Sequence, residues 1–186
     1  MEIFRNRLPF YKIFLENANR ALALGEYIYG AAKNADYILC INLGYGIGAA
    51  IIESGQLLYG KSGTCGEFGH MIMEPDGPLC DCGNQGCLEA LASGNAIAKR
   101  MEREIMEGKQ TLVSRAAVKQ GKIEAEMVFE AARAGDILSR KIIDEAMEYV
   151  GIAIASSINL LDPDMIILAG GLTKSKDLFL DQLQRT

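Results

Sequence analysis

The stretch Cys80-Asp-Cys82-Gly-Asn-Gln-Gly-Cys87 holds three of the five cysteines of this 186-residue chain. Three thiolates at this spacing, with glycines that let the backbone wrap, can converge on one metal ion, and zinc prefers four nitrogen or sulfur ligands in a tetrahedron. The only histidine, His70, lies upstream, and the two prolines and one glycine between it and Cys80 predict a loop that folds back. We therefore predict a zinc site with His70, Cys80, Cys82 and Cys87 as ligands.

The alternative is a reduced cysteine cluster that holds no metal on a surface loop. Crowded thiols without a metal are prone to oxidation, which favours the zinc interpretation. A site closed by four protein ligands has no open position for water, so we expect a structural role. Zinc binding on the order of 10 kcal/mol at neutral pH is enough to order a loop over about residues 63–90. Cys40 lies in an apolar run and is expected to act as a small buried hydrophobe.

Composition limits the function classes. With 49% hydrophobic and 23% charged residues, the chain can form one domain with its own core. Its net charge of −5 argues against holding nucleic acid through phosphates. The longest uncharged stretches, Tyr37–Ile52 and Tyr149–Leu161, are shorter than the about 18 apolar residues of a membrane span. The first residues lack the pattern of a secretory signal, so we expect a cytoplasmic, reducing environment.

The order of predicted elements indicates an α/β fold in which helices flank a mixed sheet. Asn17 is a candidate N-cap for a helix over Ala18–Ala32, and Met165–Ala169 is typical of a short buried strand. The stretch Leu112–Val118 is ambiguous. Further strands are predicted at about 10–16, 37–43, 47–53 and 56–59, and further helices at about 93–107, 124–134, 137–160 and 175–184.

Four segments together resemble the ROK family (repressors, open reading frames and sugar kinases). The most specific is Cys80–Glu89, with Gly66-Glu-Phe-Gly-His70 before it. Glu16–Glu26 is similar to the family's Glu-Asn-Asp-Ala-Asn helix start, Leu43–Gly48 to its second phosphate loop, and Ile166–Gly171 to its adenosine-side strand and turn. The resemblance runs from about residue 9 to the end of the chain.

The resemblance implies one lobe of the actin-like, ribonuclease-H-like ATPase fold, with a mixed sheet flanked by helices and a zinc-binding loop. Family members have two lobes, and residues 1–186 are expected to form a single C-terminal lobe. The Asp-x-Gly-Gly-Thr loop of the first lobe and the winged helix-turn-helix of repressor members are not in this sequence. We therefore expect DNA binding only through an N-terminal domain outside this chain.

The resemblance also implies a sugar site formed by Asn17, Glu67, His70 and Glu89. Carboxylates accept hydrogen bonds from sugar hydroxyls, and an imidazole with one nitrogen on zinc can offer its other N–H to a sugar oxygen. The metal would thus fix the ring of His70. The alternatives are solvated surface carboxylates at Glu67 and Glu89, and a helix cap at Asn17.

The nucleotide and catalytic parts depart from the family pattern. Two glycine turns match its nucleotide-phosphate loops. They are formed by Gly44, Gly46 and Gly48 and by Gly170 and Gly171. Tyr45 puts a bulky ring where the family has threonine, so we expect these loops to be vestigial, the alternative being a hairpin turn whose glycines need positive φ. The family's general-base aspartate falls on Ala18, whose methyl group cannot accept a proton.

These features favour a sugar-sensing effector domain of a ROK-type transcriptional regulator without kinase activity. The second hypothesis is the C-terminal lobe of a ROK sugar kinase that uses ATP, similar to a glucokinase. The third is a structural or assembly fragment that binds no ligand. Because an apolar face would lack its second lobe, we also expect self-association into a homodimer or a higher homo-oligomer.

Overall fold

A four-stranded mixed sheet forms the centre of the fold in this computed structural model, which describes residues 6–8, 10–120 and 123–186. The strands are β1 (Tyr37–Leu43), β2 (Ile47–Glu53), β3 (Gln56–Leu57) and β4 (Met165–Ala169), in the order β3-β2-β1-β4. β2 is antiparallel to β1 and to β3, whereas β4 is parallel to β1. The predicted mixed sheet is therefore confirmed.

Helices cover both faces of the sheet. They are α1 (Ala18–Tyr29), α2 (Leu88–Ala92), α3 (Gly94–Met106), α4 (Leu112–Gln120), α5 (Ala125–Arg133), α6 (Ile137–Leu161) and α7 (Leu180–Leu183), with 3-10 helices at Phe68–His70 and Gly171–Leu178. Among the helices of the described residues, none is both long enough and apolar enough to cross a membrane.

The alternation of side chains along β1 divides the core into two parts. Ile38 and Cys40 face α1 and pack in a small cluster with Ala23. Leu39 and Ile41 face the other way, into the large cluster that the later helices cover. Cys40 is 1% exposed, and burial raises the pKa of its thiol to about 11. It therefore behaves as a small buried hydrophobe, as predicted.

Side-chain caps fix where the main helices begin. The Oδ1 atom of Asn17 accepts a hydrogen bond of 2.8 Å from the main-chain N–H of Asn19, so the predicted N-cap of α1 is confirmed. Ser93 caps α3 and Asp136 caps α6 in the same way. Such caps satisfy amides that the first turn of a helix leaves without partners.

The largest departure from the predicted elements is at residues 10–16, which form no strand. Phe10 is 96% and Phe14 is 85% exposed, and the segment pairs with no described strand. A strand needs a neighbour for its amides and carbonyls, and the apolar pattern alone does not supply one. The prediction of a strand there is wrong.

Smaller differences lie at the ends of elements. The third strand is only Gln56–Leu57, and α1 ends at Tyr29 rather than Ala32. The last predicted helix begins earlier, as the 3-10 helix from Gly171, and α2 was not predicted at all. The ambiguous stretch 112–118 is helical.

Candidate functional site

The four predicted metal ligands come together in space. Their ligand atoms all lie within 4.8 Å of one another. The sulfurs of Cys82 and Cys87 are 3.6 Å apart, and the Cys80 sulfur lies 3.7 Å from Nδ1 of His70. Ligands on a tetrahedral zinc ion with bonds of about 2.3 Å are separated by about 3.8 Å. The cluster therefore has the dimensions and the soft donor set of a closed four-ligand zinc site.

The loop that carries the cysteines folds back on itself, as predicted. Isolated bridges pair Ile72 with Cys87 and Leu79 with Gln85, in antiparallel fashion. Gly86 has φ +67°, and a side chain there would overlap the carbonyl of Glu74. Only glycine permits both the left-handed backbone and this close approach, so the fold-back depends on it.

The local surroundings separate the pKa values of the thiols. Burial, followed by the neighbouring thiols of Cys82 and Cys80, raises the pKa of Cys87 to about 12. The pKa of the exposed Cys82 is lowered, chiefly by a hydrogen bond from the main chain of Asn84. Metal binding requires thiolates, so a divalent cation would supply the positive charge that a buried thiolate such as Cys87 lacks.

The two ring nitrogens of His70 face different groups. Nδ1 faces the cysteines, while Nε2 lies 3.9 Å from Oε2 of Glu67. Both residues belong to one short turn, because the 3-10 helix Phe68–His70 directly follows Glu67. About half of the Glu67 side chain is exposed. Nε2 and the Glu67 carboxylate thus form a polar pair outside the cysteine cluster.

Glu89 lies next to the same turn. A side chain at Gly69 would collide with the carbonyl of Ile47, and its Cβ would lie 3.3 Å from Cβ of Glu89. Oε2 of Glu89 accepts a hydrogen bond of 2.7 Å from the main-chain N–H of Ile47. Glu89 is therefore a half-buried group tied to the first glycine turn, not a solvated surface carboxylate.

The first glycine turn connects β1 to β2 as a three-residue hairpin. None of Gly44, Gly46 and Gly48 has a positive φ, so the proposed need for a left-handed backbone is wrong for this turn. Space is the reason instead. A side chain at Gly46 would overlap the Glu89 carboxylate, and one at Gly48 would overlap the amide of Asn19.

The two glycine turns lie side by side, and Asn42 lies next to both of them. A Cβ at Gly44 would lie 4.0 Å from the main-chain nitrogen of Gly171. Gly170 has φ +98° and leaves no room for a side chain beside Asn42. Asn42 in turn donates a hydrogen bond of 2.9 Å to Asn19 of α1. Sequence reasoning missed this asparagine pair, because the two residues lie 23 positions apart and meet only when α1 packs on the sheet.

The first amides of α3 already have partners in the hairpin. The N–H of Gly94 donates to the carbonyl of Gly44, and that of Asn95 donates to the carbonyl of Tyr45. The ring of Tyr45 is 78% exposed. The N-terminus of α3 therefore holds the hairpin in place and does not present these two amides to an anion.

A cavity of about 860 Å³ opens beside Glu89 and Cys80. One wall is a basic face of α3 and another is an acidic stretch of α6, and an ion pair between Arg100 and Glu145 joins them. Tyr45 lines the cavity as well, so the cavity runs from the first glycine turn to the loop that carries the cysteines.

Asn17 stands apart from the other predicted sugar ligands. It is exposed, and its Oδ1 serves as the cap of α1. Among the described residues, no hydrogen bond or ion pair joins Asn17 to Glu67, His70 or Glu89. Ala18 is also exposed, as the first residue of α1. The structure thus groups Glu67, His70 and Glu89 and places Asn17 and Ala18 at the start of a separate helix.

Comparisons with known proteins find one family, with both kinases and transcriptional regulators among the similar proteins. The ROK family profile matches residues 6–186. The chain is 36% identical over 173 residues to a glucokinase of Thermotoga maritima, covering 93% of this chain and 55% of that protein. It is 34% identical over 171 residues to the DNA-binding transcriptional dual regulator NagC of Escherichia coli, covering 92% of this chain and 41% of that protein.

The solved structures agree with the fold. A ROK family glucokinase from Streptomyces griseus, in complex with glucose and AMPPNP, superposes with a TM-score of 0.83 at 34% identity. The match covers 99% of this chain and 60% of that one. The chain spans about half the length of the relatives that it matches.

The mixed sheet, its flanking helices and these neighbours define a protein with the actin-like ATPase fold. Within that class, the chain belongs to the ROK family.

Proposed function

We propose that this chain is the zinc-containing, sugar-binding effector lobe of a ROK-type transcriptional regulator. The observation that carries the proposal is the orientation of His70, whose Nδ1 faces the cysteine sulfurs while its Nε2 faces Glu67. One ring thereby connects the cysteine cluster with a polar pair suited to sugar hydroxyls. In this proposal residues 1–186 are a single lobe.

The metal part of the proposal assigns zinc to His70, Cys80, Cys82 and Cys87. Zinc bound there would withdraw electron density from the imidazole and favour a proton on the opposite nitrogen. A ring held at Nδ1 by a metal would point its Nε2–H bond in a fixed direction, toward the side of Glu67. With four protein ligands the role is structural.

The sugar part assigns hydroxyl recognition to Glu67, His70 and Glu89, with an additional contact from the amide of Asn17. The carboxylates accept hydrogen bonds from hydroxyls, and Nε2–H donates one to a sugar oxygen. Glu89 already accepts one hydrogen bond from the main chain, and its other oxygen has no hydrogen-bond partner among the described residues. The relative from Streptomyces griseus was solved with glucose, which supports this class of ligand.

The residues at the start of α1 favour a regulator over a kinase. Ala18 offers no base, and the nearest carboxylate in sequence, Glu16, accepts hydrogen bonds from Tyr59 and from the main chain of Asn17. These bonds, the one from Asn17 first, lower the pKa of Glu16, which makes it a weaker proton acceptor. Tyr45 adds a bulky ring in the first glycine turn.

The kinase lobe remains the second candidate, supported by the similarity to glucokinases. Two measurements separate the candidates. Calorimetry of the zinc-loaded chain with glucose, N-acetylglucosamine and xylose tests binding, and release of ADP by the full-length gene product tests turnover. We expect binding without turnover, with Glu67→Gln as the variant that weakens binding. Sugar-dependent ADP release would establish the kinase instead, and the absence of any binding would favour a fragment without a ligand.

Self-association also belongs to this proposal. Phe10, Tyr11, Phe14 and Leu15 are exposed next to one another in sequence. Large apolar side chains left in water favour association with another surface, so this segment is the candidate contact. Light scattering at increasing concentration tests the idea, and a monomer at every concentration would contradict it.

A further inference from the structure

Arg20 lies at the contact between the start of α1 and residues 59–66, which form a loop here named the glycine loop. The loop contains Gly60, Gly63 and Gly66, each with a positive φ, and it leads directly into Glu67. Asn17 and Glu67, two of the proposed sugar ligands, therefore sit at the two ends of this contact.

Three kinds of interaction converge on the Arg20 side chain. Its Nη2 donates a hydrogen bond to the carbonyl of Gly63, which lies 43 residues away in sequence. Its Nη1 lies 3.4 Å from Oε1 of Glu16. Its Cζ stands 4.6 Å from the centre of the Tyr59 ring, within the range of a cation–π contact.

The partners of Arg20 are also bonded to each other. The hydroxyl of Tyr59 donates a hydrogen bond of 2.8 Å to Oε2 of Glu16. Oε1 of the same carboxylate accepts a hydrogen bond of 2.8 Å from the main-chain N–H of Asn17. The contacts among Arg20, Tyr59 and Glu16 thus close a ring, which is also bonded to the main chains of Gly63 and Asn17.

Burial separates this cluster from an ordinary surface ion pair. Only 12% of the Arg20 side chain is exposed. Among the described residues, Arg20 is the only side chain outside the glycine loop that donates a hydrogen bond to a carbonyl of residues 60–66. Surface ion pairs contribute little, but a guanidinium with several fixed partners restrains all of them at once.

We propose that Arg20 is a positioning residue that locks the start of α1 to the glycine loop and thereby sets the separation between Asn17 and Glu67 across the sugar site. The inference rests on the proposed sugar-binding function. Without the lock, the glycine loop would sample more conformations, and the sugar would have to order it upon binding. The effect of Arg20 is therefore on sugar affinity more than on the metal cluster.

The test compares Arg20→Met with Arg140→Met in the zinc-loaded chain. Arg140 also forms an ion pair four residues along a helix, with Asp144 of α6, and it touches none of the proposed sugar ligands. Calorimetry uses glucose and N-acetylglucosamine as probes, with metal content and melting temperature measured on the same samples. We expect Arg20→Met to bind roughly tenfold more weakly than Arg140→Met while metal content stays the same. Arg20→Lys, which keeps the charge and one donor, should recover part of the affinity.

Hydrogen exchange provides a readout that does not depend on sugar. Arg20→Met should speed up exchange at residues 60–67, and Arg140→Met should not. Equal sugar affinity of the two variants would overturn the positioning role, as would unchanged exchange in the glycine loop. If the metal-loaded wild-type chain binds neither probe, the proposed function itself fails and the positioning role fails with it. That outcome differs from binding that is insensitive to Arg20.

Discussion

Oε2 of Glu89 accepts a hydrogen bond of 2.7 Å from the main-chain N–H of Ile47, the first residue of β2. Glu89 is the second residue of α2, and Cys87 directly precedes that helix. One helical turn therefore connects the cysteine cluster to the hairpin that contains the first glycine turn. A change at the loop that carries the cysteines can therefore reach the hairpin through the Glu89 carboxylate.

Replacing Glu89 with alanine should weaken both the hairpin and sugar binding. A hydrogen bond to a charged acceptor contributes about 1.5–3 kcal/mol, so Glu89→Ala is expected to lower the free energy of unfolding by an amount in that range. Urea unfolding measures the loss. The control is Glu102→Ala, because Glu102 makes no polar contact with the described residues. Equal stability of the two variants would show that the Glu89 bond contributes nothing.

Gly46→Ala should destabilise the chain by breaking the same hydrogen bond, from the N–H of Ile47 to Glu89. The added Cβ would overlap the Glu89 carboxylate, whose flexible side chain can move aside but then leaves the N–H of Ile47. We expect Gly46→Ala to destabilise wild type by about 1 kcal/mol and to cost much less in a Glu89→Ala background, since neighbouring substitutions are not additive. A double-mutant cycle by urea unfolding measures this coupling.

Gly25→Ala is the matched glycine control for that cycle. Gly25 lies within α1, and a Cβ there would meet no atom within 4 Å. The substitution should therefore stabilise the chain by about 0.5–1 kcal/mol through helix propensity. A loss of stability in Gly25→Ala would contradict the packing described for this helix.

The contrast between these glycines shows what sequence could predict. Spacing alone grouped the three cysteines with His70, because ligands that share one loop need few tertiary contacts to meet. Periodicity and turn residues located β1, β2 and the long helices for the same local reason. The purpose of Gly46 and Gly48 could not be predicted, since each leaves room for a side chain from a distant element, Glu89 or Asn19.

Two elements were predicted wrongly, the strand at residues 10–16 and the missing helix α2, and both errors have physical causes. Residues 10–16 carry an apolar pattern typical of a strand, but a strand exists only where a partner strand pairs with it. Helix α2, Leu88–Ala92, is only five residues long, which is too short for helical periodicity to be visible. The pairing of Asn42 with Asn19 and the contacts of Arg20 likewise depend on how α1 packs on the sheet.

Removing one ligand of the proposed zinc site should release the metal and unfold the loop. Cys82→Ser is expected to reduce zinc content from one ion per chain to well below one and to lower the melting temperature by roughly 10 °C or more, because structural zinc contributes several kcal/mol. Cys65→Ser is the control, since Cys65 is half-buried and lies outside the cluster. Elemental analysis with thermal unfolding measures both effects. Full zinc content in Cys82→Ser would contradict the assigned ligand set.

Stability should fall in acid through the cap of α6. Burial of Asp136 acts to raise its pKa, but hydrogen bonds from Ser139 and Thr111 outweigh burial and hold the pKa below its ordinary value near 3.8. A lowered pKa in the folded state means that the contribution to stability is complete above the unfolded pKa and is lost as pH falls through the folded pKa.

Asp136→Asn tests the predicted direction of this pH dependence of stability. Asparagine still caps a helix, so the variant removes mainly the charge, and we expect it to be about 1 kcal/mol less stable than wild type at pH 7. The difference should shrink as pH falls below about 4. Asp76→Asn, at an exposed carboxylate without a polar contact among the described residues, should match wild type throughout. If the difference in stability between wild type and Asp136→Asn grew as the pH fell, the assigned direction of the pKa shift would be wrong.

Ala18→Asp separates the two functional candidates most directly. Ala18 is the exposed first residue of α1, whose first turn contains no acidic side chain. A carboxylate there should stabilise the helix by about 0.3–1 kcal/mol through the helix dipole, which thermal unfolding detects. If the loss of a base is what prevents phosphoryl transfer, the variant of the full-length gene product should gain sugar-dependent ADP release, since a general base accounts for about 10²–10⁴-fold in rate. Ala18→Asn, which has nearly the same shape as Ala18→Asp but accepts no proton, is the control for this gain. Release of ADP by the unmodified protein at the rate of Ala18→Asp would show that position 18 is not what distinguishes a sensor from a kinase here.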